Sequence, residues 1–296
     1  MTDSSGVAFV DGRFCPVEEA RIPVLDLAVT KGDSTYDVVH VWQGRFFRLD
    51  DHLDRFEASM KALRLDPGLD RRRIEDVLHE CVSRAGLRDA YVSMTCTRGR
   101  QTVPGSRDLR TTRNGFYAYA VPFVWIATPE RQERGVSLWI SSRPRIAPES
   151  VDPAVKNYHW LDIQMAQFEA YDHGAELVVL RDMAGGITEG AGYNVFAYVD
   201  DRWLTPGSGV LRGITRQTVL ELLADDRVEE GHLSEEALLR AEEVLVTSTA
   251  GGVMPVTEVN GRPVGSGLPG PRTRRLRESY WARHADERWT TPVRYR

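Results

Sequence analysis

The run from Asp152 to Asn194, DPAVKNYHWLDIQMAQFEAYDHGAELVVLRDMAGGITEGAGYN, constrains this chain more than any other. Lys156 stands at the mouth of an expected helix. After it Leu161, Met165 and Phe168 recur at i, i+4 and i+7, which predicts an amphipathic helix with these three as its apolar stripe. Gly174 lies where a C′ glycine should stop that helix. The aliphatic run Glu176–Leu180 suits a buried strand, and Glu189 then emerges from a Gly-rich turn. An amine and a carboxylate carried on separate elements can share one cleft, and a nucleophilic lysine needs such a desolvated pocket to lower its pKa. Taken alone, a lysine at a helix start also fits a solvated surface position.

Composition narrows the class. At 296 residues the chain is long enough for one large or two ordinary domains. A hydrophobic fraction of 42% with 27% charged residues belongs to a globular protein. The net charge of −5 is mild and Lys and Arg are dispersed, so neither nucleic acid nor an anionic membrane is expected as a partner. No basic segment followed by an apolar run opens the sequence, and no window reaches the ~18 apolar residues of a membrane span. Cys15, Cys81 and Cys96 are odd in number and far apart, which argues for a reducing cytoplasm. The histidines never fall at metal-ligand spacing, so no metal is expected.

Along the chain, Val7–Val10 and Arg13–Val17 read as strands around Asp11-Gly12, and Tyr36–Trp42 and Arg45–Leu49 as a hairpin around Gln43-Gly44. Asp51–Leu63 reads as a helix capped by Asp50 or Asp51. A second helix carries Ile74, Val77, Leu78, Cys81, Val82 and Ala85 and closes at Gly86. Ala90–Thr97 and Gly115–Trp125 have strand character, giving a mixed α/β first domain. Thr102–Asn114 is polar and breaker-rich, as a mobile loop near a site would be. Ile126–Arg134 is the best boundary, dividing the chain into 1–125, an interdomain loop at 126–134, and 135–296. Strands at Val136–Ser141, Glu176–Leu180, Asn194–Val199 and Arg202–Leu204 follow, then helices near Thr215 and Ser234. Val244–Thr247 and Met254–Val259 complete the strands, and Asn260-Gly261 is the sharpest hairpin signal.

Four motifs in order, VKNYHWLD, ITEGAGYNVF, GVLRGITR and TSTAGGVMP, resemble the fold-type IV pyridoxal-phosphate transaminases. That group includes branched-chain and D-amino-acid aminotransferases and aminodeoxychorismate lyase. The blocks ARIPVLD, DSTYDVVHVWQGRFFRLDDHLDRFEAS and DPAVKN look most like the (R)-selective amine transaminases. The likeness runs from about Val7 to the region of Trp281. It implies a two-domain α/β fold, with a small N-terminal domain and a larger β-barrel-like C-terminal domain flanked by helices. It also implies pyridoxal phosphate (PLP), a homodimer, and amino transfer from D-amino acids or (R)-primary amines to a 2-oxo acid. Branched-chain L-amino-acid transamination or a lyase reaction on the same fold is the alternative, and a cofactor-free binding protein is a third reading.

Within this resemblance Lys156 is the Schiff-base lysine. Elimination agrees, because the other lysines are Lys61, beside a helix stripe, and Lys31, in a loop before a strand. Glu189 faces the pyridine nitrogen, the small Gly190 and Gly192 of TEGAGYN admit a flat ring, and Gly192, Tyr193 and Asn194 bind the cofactor; a plain turn or strand-edge carboxylate is the other reading of Glu189. In LRGITR, Leu211 and Gly213 precede a helix whose Ile214 and Thr215 N–H groups can meet a phosphate, although Thr215 also suits an N-cap. Ser248, Thr249 and Ala250 offer further donors, with Thr249 and Ala250 also on the substrate side. Arg55 matches the family's phosphate cation, against the simpler reading of an ion pair with Asp51. Tyr36 and Tyr119 match substrate-lining positions, and Tyr158 and Trp160 read as packing. Lys31-Gly32-Asp33 and the loop RGRQTVPGSRD depart from the relatives, and Glu133 stands where some amine transaminases carry an arginine. The substrate carboxylate is therefore expected at Lys31, Arg98 or Arg100.

Overall fold

The computed structural model describes residues 6–296, so the first five residues of the expected first domain lie outside it. In chain order the elements are β1 (Val7–Val10), β2 (Arg13–Pro16), α1 (Leu27–Lys31), β3 (Ser34–Trp42), β4 (Arg45–Phe47), α2 (Leu49–Ala62), α3 (Arg71–Ala85), β5 (Ala90–Gln101) and β6 (Thr112–Pro122). There follow α4 (Pro129–Arg134), β7 (Val136–Pro144), α5 (Leu161–Asp172), β8 (Leu177–Arg181), β9 (Ile187–Gly190), β10 (Tyr193–Val199), β11 (Arg202–Pro206) and α6 (Ile214–Leu222). The chain closes with β12 (Val228–Gly231), α7 (Glu235–Leu239), β13 (Glu243–Ser248), β14 (Gly252–Val259), β15 (Arg262–Pro263), α8 (Pro271–Ala282) and β16 (Thr290–Pro292).

Two compact units result. The first is Met1–Val124 with Val155–Tyr158 and His284–Arg296; the second is Trp125–Ala154 with His159–Arg283. Residues 155–158 and the C-terminal segment thus join the first unit, where a simple cut after 134 puts them in the second. Nor is 126–134 a loop throughout: Pro129 at the first turn and a Thr128 cap start α4 there.

The first unit is a sheet of order β16-β4-β3-β5-β6-β1-β2. Alternation divides its residues. Val39, Val41, Val92, Met94, Cys96, Ala118 and Ala120 join Leu53, Phe56, Ile74, Leu78 and Cys81 of α2 and α3 in one core. Asp50 and Asp51 do not cap α2. The N-cap is Arg48, in the left-handed region, with no side-chain cap; the two aspartates sit in the first turn, where a carboxylate complements the helix dipole.

In the second unit β10, β13, β14, β7, β8 and β9 run side by side, and a β9–β10 pairing closes them into a ring. Closure gives β9 and β10 partners on the side an open sheet would leave bare, while β12 and β15 remain outer strands. Asn260-Gly261, at φ 50° and 73°, makes the expected tight turn from β14 to β15. Helix α5 ends in a Schellman motif, with Ala175 N–H donating to Ala170 O at 2.9 Å and Gly174 N–H to Tyr171 O at 2.9 Å. Its expected stripe is turned outward, however. Leu161, Met165 and Phe168 are 75%, 41% and 60% exposed, while Ile163, Ala166 and Ala170 pack on Val178 and Leu180. The small residues let the helix lie close to the barrel wall, so the bulky ones are left for solvent or a partner.

Gly174 adopts φ +76°, and a methyl group at its Cα would meet only open space. Gly174→Ala therefore tests conformation alone. Urea denaturation is expected to show a loss of about 1 kcal/mol.

Candidate active site

Within the first unit, Tyr36 lies opposite Thr95, and Thr95 opposite Tyr117. Directly paired residues share a sheet face, so these, with Tyr91 and Tyr119 farther along at the same parity, line the face away from α2 and α3. Lys156 comes to this tyrosine row by strand addition. Strand β4 pairs with β3 only at Val41 and Trp42, which leaves the Thr35–Tyr36 edge open. Residues 156–157 take that edge: Tyr36 N–H donates to Lys156 O at 3.1 Å, and Thr35 and Asn157 form an antiparallel bridge. The Thr35 hydroxyl donates to the same carbonyl at 2.6 Å, and Lys156 N–H donates to Ser59 Oγ at 3.3 Å. Lys156 is thus a strand-edge residue ahead of α5, whose N-cap is Trp160, and not part of that helix's mouth.

Lys156 Nζ lies 4.3 Å from the centroid of the Tyr36 ring. Tyr158 stacks on Tyr36 at 4.1 Å and 7°, with its hydroxyl 3.2 Å from Thr95 Oγ1. Burial pushes the Tyr36, Tyr91, Tyr117 and Tyr158 phenols above their usual value, so they stay neutral near pH 7.

On the opposite face of β3, Asp37 is fully buried and takes both Nε (2.7 Å) and Nη2 (2.8 Å) of Arg55, and His52 Nδ1 at 2.8 Å. Burial alone raises a carboxyl pKa; here the Arg55 charge and the His52 and Arg55 hydrogen bonds outweigh it and hold Asp37 well below the carboxylate range. Burial also lowers His52, against the pull of Asp37. The simpler sequence reading paired Arg55 with Asp51; in the fold Arg55 forks onto Asp37, and Asp51 binds Arg48 at 2.7 Å.

Among the carboxylate candidates, Arg98 is engaged elsewhere. Its Nε and Nη2 hold Asp33 at 2.9 and 3.1 Å, and Nη1 and Nη2 donate to the Arg64 and Leu63 carbonyls at 2.9 and 2.6 Å. That fork fastens β5 to the end of α2, and Arg98 is withdrawn as a substrate ligand. Lys31, the last residue of a short helix and not in a loop, and Arg100 are both exposed.

The second unit holds the remaining candidates. Glu189 sits in β9, ahead of the 191–192 turn, and is 6% exposed. Its Oε2 accepts the Leu211 N–H at 2.9 Å and its Oε1 faces Arg145 Nη2 at 3.3 Å. Arg145 in turn grips Asp162 at 2.7 Å. Asn194, paired with Glu189 in register, donates to Leu211 O at 2.9 Å, so one loop residue is held through both main-chain groups. Gly213 is the N-cap of α6 and no side chain caps that helix; a Cβ at 213 would strike Asn194 Oδ1. Thr215 is buried in the first turn and is not the cap. An uncapped helix start of this kind presents the N–H groups of Ile214 and Thr215 and the positive end of the dipole to an anion.

Two further expectations change here. The Ser248 hydroxyl donates to Gly192 O at 2.8 Å and receives Ala250 N–H at 3.2 Å, so it ties two turns together and is not an available donor; Thr249 and Ala250 lie half-buried in the turn it braces. The Tyr193 hydroxyl donates to Val178 O at 2.6 Å and accepts Val178 N–H at 2.8 Å, which makes it a core clamp. Glu133 pairs with Arg277, and Arg131 and Arg134 both bind Glu176 at 2.7 Å. No cluster of His, Cys, Asp or Glu suited to a metal occurs among the described residues.

The family model for amino-transferase class IV matches residues 34–259. The chain belongs to the class IV aminotransferases. Its cofactor, as in that class, is PLP. A D-alanine aminotransferase from Bacillus licheniformis is 30% identical over 272 residues, covering 90% of this aminotransferase and 93% of the relative. The branched-chain-amino-acid aminotransferase-like protein 2 of Arabidopsis thaliana is 29% identical over 282 residues, 93% of this chain; the chain spans 49% of that relative's length. Among solved structures, a T.th. branched-chain amino acid aminotransferase with pyridoxamine 5'-phosphate superimposes with a TM-score of 0.90 at 29% identity, covering 98% of this chain and 99% of that one. The fold is the expected mixed α/β arrangement with a closed sheet and flanking helices.

Sequence reasoning passed over Arg145 and Asp37. Arg145 lies in the Pro-bounded run RPRIAP, which has no period, and its partner Glu189 is 44 residues away. Asp37 alternates among β-branched residues, and a charge on the inward parity of a strand was the available signal. Removing one member of such a buried pair strands the other charge. Asp37→Asn is expected to lower stability by about 3 kcal/mol in denaturant titration, while exposed Asp50→Asn changes it by under about 0.5 kcal/mol.

Proposed function

We propose that this aminotransferase transfers an amino group from an apolar D-amino acid or (R)-primary amine to a 2-oxo acid such as pyruvate or 2-oxoglutarate. The observation that carries the reading is a single lysine whose backbone is locked to a strand edge while its amine lies over an aromatic row. Bound PLP supplies an aldehyde carbon for the amine and an electron sink for the carbanion left at the substrate Cα.

The residues fit that group. Lys156 Nζ is the nucleophile, and it accepts the proton lost from Cα and returns it. Glu189 would hold a proton on the pyridine nitrogen; the Arg145 guanidinium and the Leu211 N–H both bond its carboxylate. As candidates for the phosphate, the second unit would offer the first-turn N–H groups of α6 and the Thr249 hydroxyl, and the first unit the Arg55 guanidinium that Asp37 orients. Tyr36, Tyr119 and the neighbouring phenols give the donor an apolar wall with polar tips, which suits an aryl or branched side chain. Lys31 or Arg100 binds the acceptor carboxylate.

The names of the branched-chain relatives favour a second reading, an L-branched-chain donor. Single-turnover spectra with D-alanine, (R)-1-phenylethylamine and L-leucine separate the two. Fastest conversion with a D or R donor is expected, and none with any donor in Lys156→Ala. L-leucine as the sole efficient donor contradicts the stereochemical assignment.

The outward face of α5, with Leu161, Phe168 and Tyr171 each more than half exposed, supports a homodimer that buries it. The free thiols of Cys15, Cys81 and Cys96 suit a cytoplasmic protein, and no helix among the described residues is long and apolar enough to cross a membrane. Light scattering is expected to give a dimer for the wild type and monomers for Leu161→Glu/Phe168→Glu. A dimer that persists in the double variant excludes this face.

A further inference from the structure

The Tyr158 ring stacks on Tyr36 at 4.1 Å, and Lys156 Nζ lies over the Tyr36 ring 4.3 Å from its centroid. Tyr36 therefore has both a stacked ring and a cation against it. It is 6% exposed, so the electrostatic attraction between its π-face and an ammonium is screened little by water. The backbone holds Lys156 in register with this ring, because the Tyr36 N–H itself donates to Lys156 O.

We propose that the Tyr36 ring is the seat of the Lys156 ammonium whenever that amine is not bonded to cofactor, and so sets how readily the amine gives up its proton. The inference rests on Lys156 being the reactive lysine, as proposed above, but it concerns the amine alone. A seat of this kind stabilises the charged over the neutral form. It holds the lysine close once the amine has taken the Cα proton, ready to return it, at the cost of a slower return to the neutral, nucleophilic state.

The neighbouring groups act differently. Asp37, on the opposite face of β3, spends its charge on Arg55 of α2. Tyr91 of β5, Tyr117 of β6 and Tyr158 are phenols that burial keeps neutral, and the Ser59 hydroxyl on α2 is uncharged. The aromatic face is a feature beside Nζ whose electronics can be altered without changing a formal charge.

The test is competitive acetylation of the full chain, purified free of PLP, across pH 6–11, with each lysine read by peptide mass spectrometry. Lys31 and Lys61 serve as internal references. Tyr36→Phe keeps the ring and is expected to leave the Lys156 midpoint within about 0.2 units. Tyr36→Leu removes it, and the midpoint is expected to fall by about half to one and a half units. Because a leucine can disturb the sheet, trifluorophenylalanine at position 36 provides the second variant: it keeps the ring's shape while cancelling most of its negative face, and a downward shift is again expected. A midpoint that stays or rises in the fluorinated variant overturns the proposal. Failure of the transamination reading shows separately, as absent donor conversion in the PLP-loaded wild type.

Discussion

The carbonyl of Lys156 accepts two hydrogen bonds from consecutive residues of β3, and the arrangement of the first unit depends on that attachment. A side chain with four rotatable bonds is a poor catalyst unless its root is fixed. Here the root is fixed by the same physics that builds a sheet: an open strand edge with unsatisfied N–H and C=O groups recruits an extended segment. Strand β4 stops short, and the vacated edge at Thr35–Tyr36 takes residues 156–157. Because β3 alternates, consecutive residues then serve opposite tasks. Tyr36 faces the amine, while Asp37 faces α2 and neutralises Arg55 and orders His52.

The second unit solves a different problem, the placing of a buried carboxylate. A ring of strands closed by the β9–β10 pairing gives Glu189 a dry position within it. Its charge is balanced by Arg145, which Asp162 holds in turn, and by one loop N–H. Leu211 is gripped through both its main-chain groups, and two residues later Gly213 starts α6 without a side-chain cap. The placement of a carboxylate and the direction of a helix dipole are thus outcomes of one short loop.

Much of this was legible in the residue pattern. The hairpins at Asp11-Gly12, Gln43-Gly44 and Asn260-Gly261 and the C′ glycines at Gly86 and Gly174 follow from local chemistry, so each is found where local rules put it. What depends on tertiary contacts was not legible. The bulky stripe of α5 has helical period, but periodicity does not say which face a barrel wall of Val178 and Leu180 will accept; small Ala166 and Ala170 won by fitting closer. Arg98 and Ser248 looked like ligand donors by residue type, yet backbone carbonyls met in the folded chain use their hydrogens first. Arg145 was missed because an arginine in an aperiodic, proline-bounded run announces no partner.

The account stands on one amine among three. Incubating the protein with PLP, reducing with borohydride and mapping the phosphopyridoxyl group by peptide mass spectrometry tests that directly. Stoichiometric modification at Lys156, with Lys31 and Lys61 unmodified, is the predicted result. Modification confined to either of the other lysines, or none in protein that retains its PLP, would contradict it.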